Sequence, residues 1–196
     1  MDKKILITGT GIISAMGRNT REVAMNLYKG KCGLHHDELR DNYNSDLCGN
    51  VPSWEEDYHN ILTRAQHECM PLHGFYVLEA VLEALKKAKV SKEFLENHNV
   101  SLIVSNDSEC YESKFVVSHV KKKISNRRLP VTTLFRSLNS TISMNLATIL
   151  GIHGLSLTVS AACAGGGHAI GFAKMLRDSK QTEMVIVIGA QETTST

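Results

Sequence analysis

Cys163 stands at the one place in this 196-residue sequence where residue types and spacing together suggest chemistry. In 159-VSAACAGGGHAIGFAKMLRDS-179 it follows a short apolar strand pattern and precedes three consecutive glycines, 165 to 167, where a helical pattern begins. A cysteine at a helix N-terminus meets unpaired N–H groups and the positive end of the helix dipole, which favour the thiolate. The thiolate is the nucleophilic form, so such a position yields an activated sulfur without a metal. Glycines beside it let backbone and substrate approach closely. The N–H of Cys163 could then face a developing oxyanion, as in other strand-turn-helix elbows. An isolated cysteine is ordinarily a small core residue. That ordinary reading is kept for Cys32, Cys48, Cys69 and Cys110, which lack the strand-turn-glycine context.

Two other stretches compete for attention. The segment 8-TGTGIISAMG-17 follows a strand pattern, but Ser14 stands where a dinucleotide fingerprint needs its third glycine. No helical pattern starts until about Thr20, so a tight structural turn is the better reading. The run 121-KKKISNRR-128 carries five basic charges in eight residues with no acidic residue among them. A charge run is ordinarily a solvated face. Nucleic-acid binding is disfavoured because no aromatic residues interleave the charges and the whole chain carries a formal charge of only +2.

The elements that must hold Cys163 follow from periodicity. Residues 4–8 (KILIT) read as a buried strand, 20–29 as a helix stopped by Gly30, and 31–60 as an irregular excursion with one short hairpin. Residues 74–89 form the clearest helical pattern, apolar at Val77, Leu78, Val81, Leu82 and Leu85. A strand at 100–104, a helix at 136–150 ended by Gly151, a strand at 155–159, a helix at 166–178 and a strand at 184–189 complete the series. Buried strands alternating with helices imply an α/β fold with a parallel or mixed sheet covered by helices on both faces.

Composition agrees. Hydrophobic residues at 42% with 21% charged residues are ordinary for a globular domain, and the length suits one domain spanning 1–196. The apolar run at the start is too short for a membrane span. Five scattered cysteines without a CxxC pair argue for reduced thiols in a cytoplasmic protein and against a zinc ribbon. No metal or organic cofactor is implied.

Taken in order, these pieces resemble the β-ketoacyl-acyl carrier protein synthases of the thiolase fold. The opening ILITGTGIISAMG is similar to the family's first strand and turn, with Ala15 and Met16 where Pro-x is usual before Gly17. LYKGKCG (27–33) matches the leucine and glycines after the first helix. The segment 151-GIHGLSLTVSAACAGGGHAIGFA-173 resembles the nucleophile elbow, with Leu155 for the usual proline and Gly165 for the common Ser or Thr after Cys-Ala. The strand 182-TEMVIVIGAQE-192 resembles the one that normally ends Gly-Gly-Ala-Glu.

The resemblance implies that Cys163 takes an acyl group from a carrier thioester for Claisen condensation with malonyl-acyl carrier protein. It implies docking of an acidic acyl carrier protein, with Arg127 and Arg128 as the candidate rim. It also implies a homodimer joined through the strand before the nucleophile. The family's two catalytic histidines lie on His-Gly-Thr and Gly-His motifs in the second half of a fold about twice this long. None of the nine histidines here sits in such a motif. His168 is read as packing within its helix and His153 as a turn residue. The chain therefore reads as the amino-terminal half of a condensing enzyme, unable to condense by itself. A thiolase using free coenzyme A, or a non-catalytic partner like a chain-length factor, are the alternatives. The retained Cys163 speaks against the latter.

Overall fold

A computed structural model describes residues 4–38, 44–51, 61–107, 110–121 and 131–192 of the chain. In chain order the elements are α1 (Thr20–Tyr28), β1 (His35–His36), β2 (Leu47–Cys48), α2 (Arg64–Cys69), α3 (Leu72–Ala88), α4 (Lys92–Asn97), β3 (Val100–Ser105), α5 (Cys110–Lys121), α6 (Val131–Arg136), α7 (Thr141–Leu150), β4 (Ser156–Val159), α8 (Gly165–Asp178) and β5 (Met184–Gly189). β3 runs between β4 and β5, parallel to both, while β1 and β2 form a separate antiparallel pair.

β3 is buried at all six positions because it is covered on both faces. Side chains alternate across a strand. Val100, Leu102 and Val104 therefore join the larger core with α3 (Val77, Leu78, Val81) and α7 (Ile142, Leu146, Ile149). Ile103 points the other way, against Ala169 and Ala173 of α8. Those two alanines stand one helical turn apart, and their small size lets α8 lie close to the sheet.

Local signals explain the helix ends. The Asn19 side chain accepts from the Glu22 N–H at 2.9 Å, and the Glu22 carboxylate accepts from the Arg18 N–H at 2.9 Å. α3 ends on Lys89 in the left-handed region, with Lys86 and Lys87 placed against the negative end of its dipole. Gly151 closes α7 with a φ of 67°.

Several expectations are corrected. Residues 4–8 form no strand, and Leu6 and Ile7 are 75% and 85% exposed. The segment runs beside α3 instead, so close that a Cβ on Gly11 would lie 1.8 Å from the Ala80 carbonyl oxygen. Its glycines thus serve close backbone approach, in keeping with a structural turn. The apolar side of α1 is mostly bare: Val23 is its one buried residue, and Tyr28 is 94% exposed. The helix expected over 136–150 starts later, at Thr141 (α7); Arg136 instead closes α6, which was not foreseen and which bonds from the Ser137 and Leu138 N–H groups to Leu134 and Phe135 tighten and end. The short helices α2, α4 and α5 were not foreseen, since six to twelve residues carry little periodicity.

Glu83 of α3 ties the amino-terminal segment down. Its carboxylate accepts from Lys87 Nζ at 2.7 Å, the Thr20 hydroxyl at 2.7 Å, the Thr20 N–H at 3.0 Å and the Ile12 N–H at 3.2 Å. Partial burial pushes its pKa up, but those bonds, led by Lys87 and Thr20, outweigh burial and hold it at about 2 against an ordinary 4.5. A depressed carboxylate stabilises the fold fully above its unfolded pKa and loses that contribution as pH falls through its folded one. Urea midpoints of the parent chain and Glu83→Gln should therefore differ most above pH 4.5, with the parent higher, and converge toward pH 2. A difference independent of pH between 2 and 6 would refute the ionic role.

Candidate functional site

The elbow is built where β3 and β4 end. β4 leads into Ser160 and Ala161, a 3-10 turn covers Ala162–Ala164, and α8 starts at Gly165. Ala162 carries a φ of 44°, a left-handed conformation that costs an L-residue roughly 1–2 kcal/mol. This sharp reversal presents Cys163 at the surface, exposed, one turn ahead of the body of α8. Within the turn the Ala164 N–H donates to the Ala161 carbonyl at 3.0 Å and the Gly165 N–H to that of Ala162. The N–H of Cys163 has no acceptor among the described residues, so it is available to an incoming oxygen.

The end of β3 holds this turn from beneath. The Asn106 N–H donates to the Val159 carbonyl at 3.2 Å, and the Asn106 carbonyl accepts from the Ser160 hydroxyl at 3.1 Å. The Asp107 carboxylate accepts from the Ala161 N–H at 3.2 Å. Asn106 is fully buried, and its side-chain amide donates to the Asn139 carbonyl at 3.0 Å, which ties in the bend between α6 and α7. Below the turn, the Ser143 and Thr158 hydroxyls share a 2.8 Å bond from α7 to β4. Ser105 faces α8: a Cβ on Gly165 would lie 2.0 Å from its Oγ. Nothing lies within 4 Å of the corresponding positions on Gly166, Gly167 and Gly171. Only the first glycine of the triplet is therefore demanded by packing.

Sequence reasoning singled out Cys163 but passed over residues 105–107. The available signal was a polar tripeptide that closes an all-buried strand, at the carboxyl end where open α/β sheets place their sites. Arg127 and Arg128 lie outside the described residues. His153 sits in the connection between α7 and β4, as expected. His168 is carried by α8, but its side chain is exposed rather than packed within the helix. The core reading suits Cys48, which is buried, and in part the half-buried Cys69, but Cys32 is exposed. Among the described residues there is no group of three or more His, Cys, Asp or Glu that could hold a metal ion, and no helix is long and apolar enough to cross a membrane.

Elsewhere, Arg136 of α6 pairs with Glu112 of α5, Nε to Oε1 at 2.9 Å and a second nitrogen to Oε2 at 3.2 Å. Only the second of these contacts has hydrogen-bond geometry; the Nε contact is an ion pair by distance alone. The pair fixes α5 against α6, next to the bend that Asn106 holds.

This elbow on a helix-covered parallel sheet is of the kind found in condensing enzymes. Residues 2–196 match the model of the beta-ketoacyl synthase N-terminal domain, and the chain belongs to that family. It is 30% identical over 197 residues to 3-oxoacyl-(acyl-carrier-protein) synthase 1 of Buchnera aphidicola subsp. Acyrthosiphon pisum (strain APS), a match covering 97% of this chain and 47% of that protein. It is 29% identical over 196 residues to the synthase of the same description from Escherichia coli (strain K12), with the same coverage. The chain thus spans about half the length of the curated relatives it matches. Among solved structures, the ishigamide ketosynthase/chain length factor superimposes with a TM-score of 0.83 at 20% identity, over 96% of this chain and 47% of that one. A beta-ketoacyl synthase from Burkholderia phymatum gives 0.81 at 20% identity, over 98% of this chain and 48% of that one. The thiolase-like fold expected from the sequence is therefore present.

The glycine geometry makes opposite predictions at two sites on one helix. Gly171→Ala, with open space around it, should raise stability by roughly 0.5–1 kcal/mol through helix propensity. Gly165→Ala should instead lower stability by about 1–3 kcal/mol through overpacking against Ser105. The loss should shrink in a Ser105→Gly background. Denaturant titration of the four variants checks both signs, and equal effects at 165 and 171 would refute the packing account.

Proposed function

We propose that the chain supplies the acyl-accepting half of a 3-oxoacyl-acyl carrier protein synthase, with Cys163 as nucleophile. The observation that carries this reading is an exposed thiol on a strained turn, with no acceptor for the Cys163 N–H among the described residues and a helix starting two residues later. The Cys163 sulfur attacks the carbonyl carbon of an acyl thioester. A carbon–sulfur bond forms, and the negative charge developing on the carbonyl oxygen is met by the Cys163 N–H. Collapse of that intermediate breaks the bond to the carrier's sulfur, which leaves and takes up the thiol's proton. The acyl group is then held on Cys163 until a carbanion, formed by decarboxylation of a malonyl carrier, displaces the sulfur and makes the new carbon–carbon bond. Groups for the decarboxylation are assigned by family resemblance to histidine motifs in the second half of the longer fold; the one Gly-His pair here, Gly167-His168, lies in the elbow helix instead. Acyl transfer onto Cys163 is hence the step this chain can perform.

An acyl carrier protein is the proposed acyl donor. One solved relative, matching with a TM-score of 0.74 at 16% identity, over 95% of this chain and 45% of that one, is described as a type II PKS acyl-carrier protein in complex with its ketosynthase. Arg127 and Arg128 are proposed to attract the carrier's acidic surface, which would act mainly on the encounter rate and weaken with salt. A thiolase acting on acyl-coenzyme A and a non-catalytic partner subunit are the competing outcomes.

Intact mass after incubation with acyl-carrier protein and, separately, with acyl-coenzyme A decides among the three. We expect one acyl adduct, mapped to Cys163, absent in Cys163→Ala, and formed faster from the carrier. Charge reversal of Arg127 and Arg128 should slow the carrier reaction at low salt and change it little at high salt. No adduct from either donor would reject the nucleophile assignment, and a preference for acyl-coenzyme A would favour thiolase chemistry.

The same reading includes a homodimer through β4. This strand is hydrogen-bonded to β3 on one side and to no other strand among the described residues, and such an open edge is a ready template for pairing. Sedimentation should show dimer at micromolar concentration, and Ser156→Pro, at a position whose N–H faces away from β3, should weaken it. A clean monomer at high micromolar concentration would remove this part of the proposal.

A further inference from the structure

The geometry points to Asp107 as a positioning residue for Cys163, holding the elbow against the strain stored at Ala162. This rests on the nucleophile reading above and adds a residue that the family resemblance did not supply. Ala162 is left-handed without being glycine, a state that persists only where its surroundings impose it. Both flanks of that residue are gripped by one tripeptide. On the upstream side the Ala161 N–H donates to Asp107 Oδ2 at 3.2 Å, a bond strengthened by the charge of its acceptor. On the downstream side Ser105 fills the space beside Gly165, so α8 cannot slide toward the sheet. Between them the buried Asn106 fastens the tripeptide to Val159, Ser160 and Asn139 through the three bonds already described. Ser105 and Asn106 act through buried packing, and changing either would disturb the core. Asp107 is exposed, so its contribution is separable from folding.

The consequence concerns orientation. Cys163 gains from the N-terminus of α8 only while the turn keeps it next to that terminus, since the dipole's influence is confined to the first turn. Without the Asp107 bond the turn relaxes toward ordinary backbone geometry and Cys163 becomes an ordinary exposed thiol. Cys32, also exposed but on no helix start, is the internal reference.

The test is the iodoacetamide rate at Cys163 relative to Cys32, read by peptide mapping, with the buried Cys48 reporting on intact folding. We expect Cys163 to react faster than Cys32 in the parent chain. Asp107→Ala should lower that ratio about three- to fivefold, the upper part of the range for an exposed helix-terminus interaction. Asp107→Asn keeps an oxygen acceptor for the Ala161 N–H and should hold the ratio within about twofold of the parent, the margin a retained neutral bond allows. In an Ala162→Gly background the left-handed turn costs little. Removing the carboxylate there should also change the ratio by less than about twofold. An unchanged ratio in Asp107→Ala, or an equal fall in Asp107→Asn, would overturn the positioning role. So would a loss in the Ala162→Gly background as large as in the parent, and that background decides the matter if Asp107→Ala alone exposes Cys48. A parent ratio of one or below would instead show that the nucleophile reading itself has failed, and the positioning role with it.

Discussion

Burial of β3 on both faces is the condition from which the rest of the molecule follows. A strand with no solvent-facing side must satisfy its backbone through neighbours on both edges, and β4 and β5 do so in parallel. It must also bury alternate side chains in two separate layers. Val100, Leu102 and Val104 thereby place α3 and α7 on one side, and Ile103 places α8 on the other. Parallel neighbours bring the carboxyl ends of β3 and β4 to the same edge of the sheet. The loop after each strand emerges there, and the two loops can bond to one another.

At that edge the chemistry of β3 changes abruptly, from apolar side chains to Ser105, Asn106 and Asp107. The change suits what the edge must do. The turn after β4 leaves backbone groups without strand partners; Asn106 and Asp107 take up those of Val159 and Ala161, and the Ser160 hydroxyl donates to the Asn106 carbonyl. A buried asparagine is costly unless bonded, and its bonds in turn make the arrangement specific. The result is a rigid platform under a strained turn, with a thiol at its apex. The proposed acyl transfer would draw on such preorganisation, because donors already in place need no reorganisation.

The apolar surface that remains exposed has a related origin. Leu6 and Ile7 on the first segment, and Ile170 and Met175 on α8, stay open to solvent. α8 has one face against the sheet and one face free, so its sequence is apolar around more of its circumference than a helix over a single layer needs. Relatives of this family are about twice as long as the chain. Composition alone would not have separated these residues from the core.

How much of this was legible depended on how far apart the cooperating residues lie. Periodicity located α1, α3, α8, β3 and β5 to within a residue or two at each end, since each is a run of neighbours answering to one spacing. Cys163 was legible for the same reason: its strand, turn, glycines and helix are contiguous. The segment 4–8 misled, because an apolar β-prone run becomes a strand only when an edge is available to pair with it. The break between α6 and α7 was hidden because a helical pattern does not reveal where backbone bonding tightens and stops. The grip of residues 105–107 on the elbow joins groups 54 positions apart in Asn106–Ser160 and Asp107–Ala161. The sequence by itself thus determined the local setting of Cys163 and the layers that carry it. Tertiary structure decided which polar side chains hold the turn, because hydrogen bonds across that separation follow from strand register and leave no local pattern.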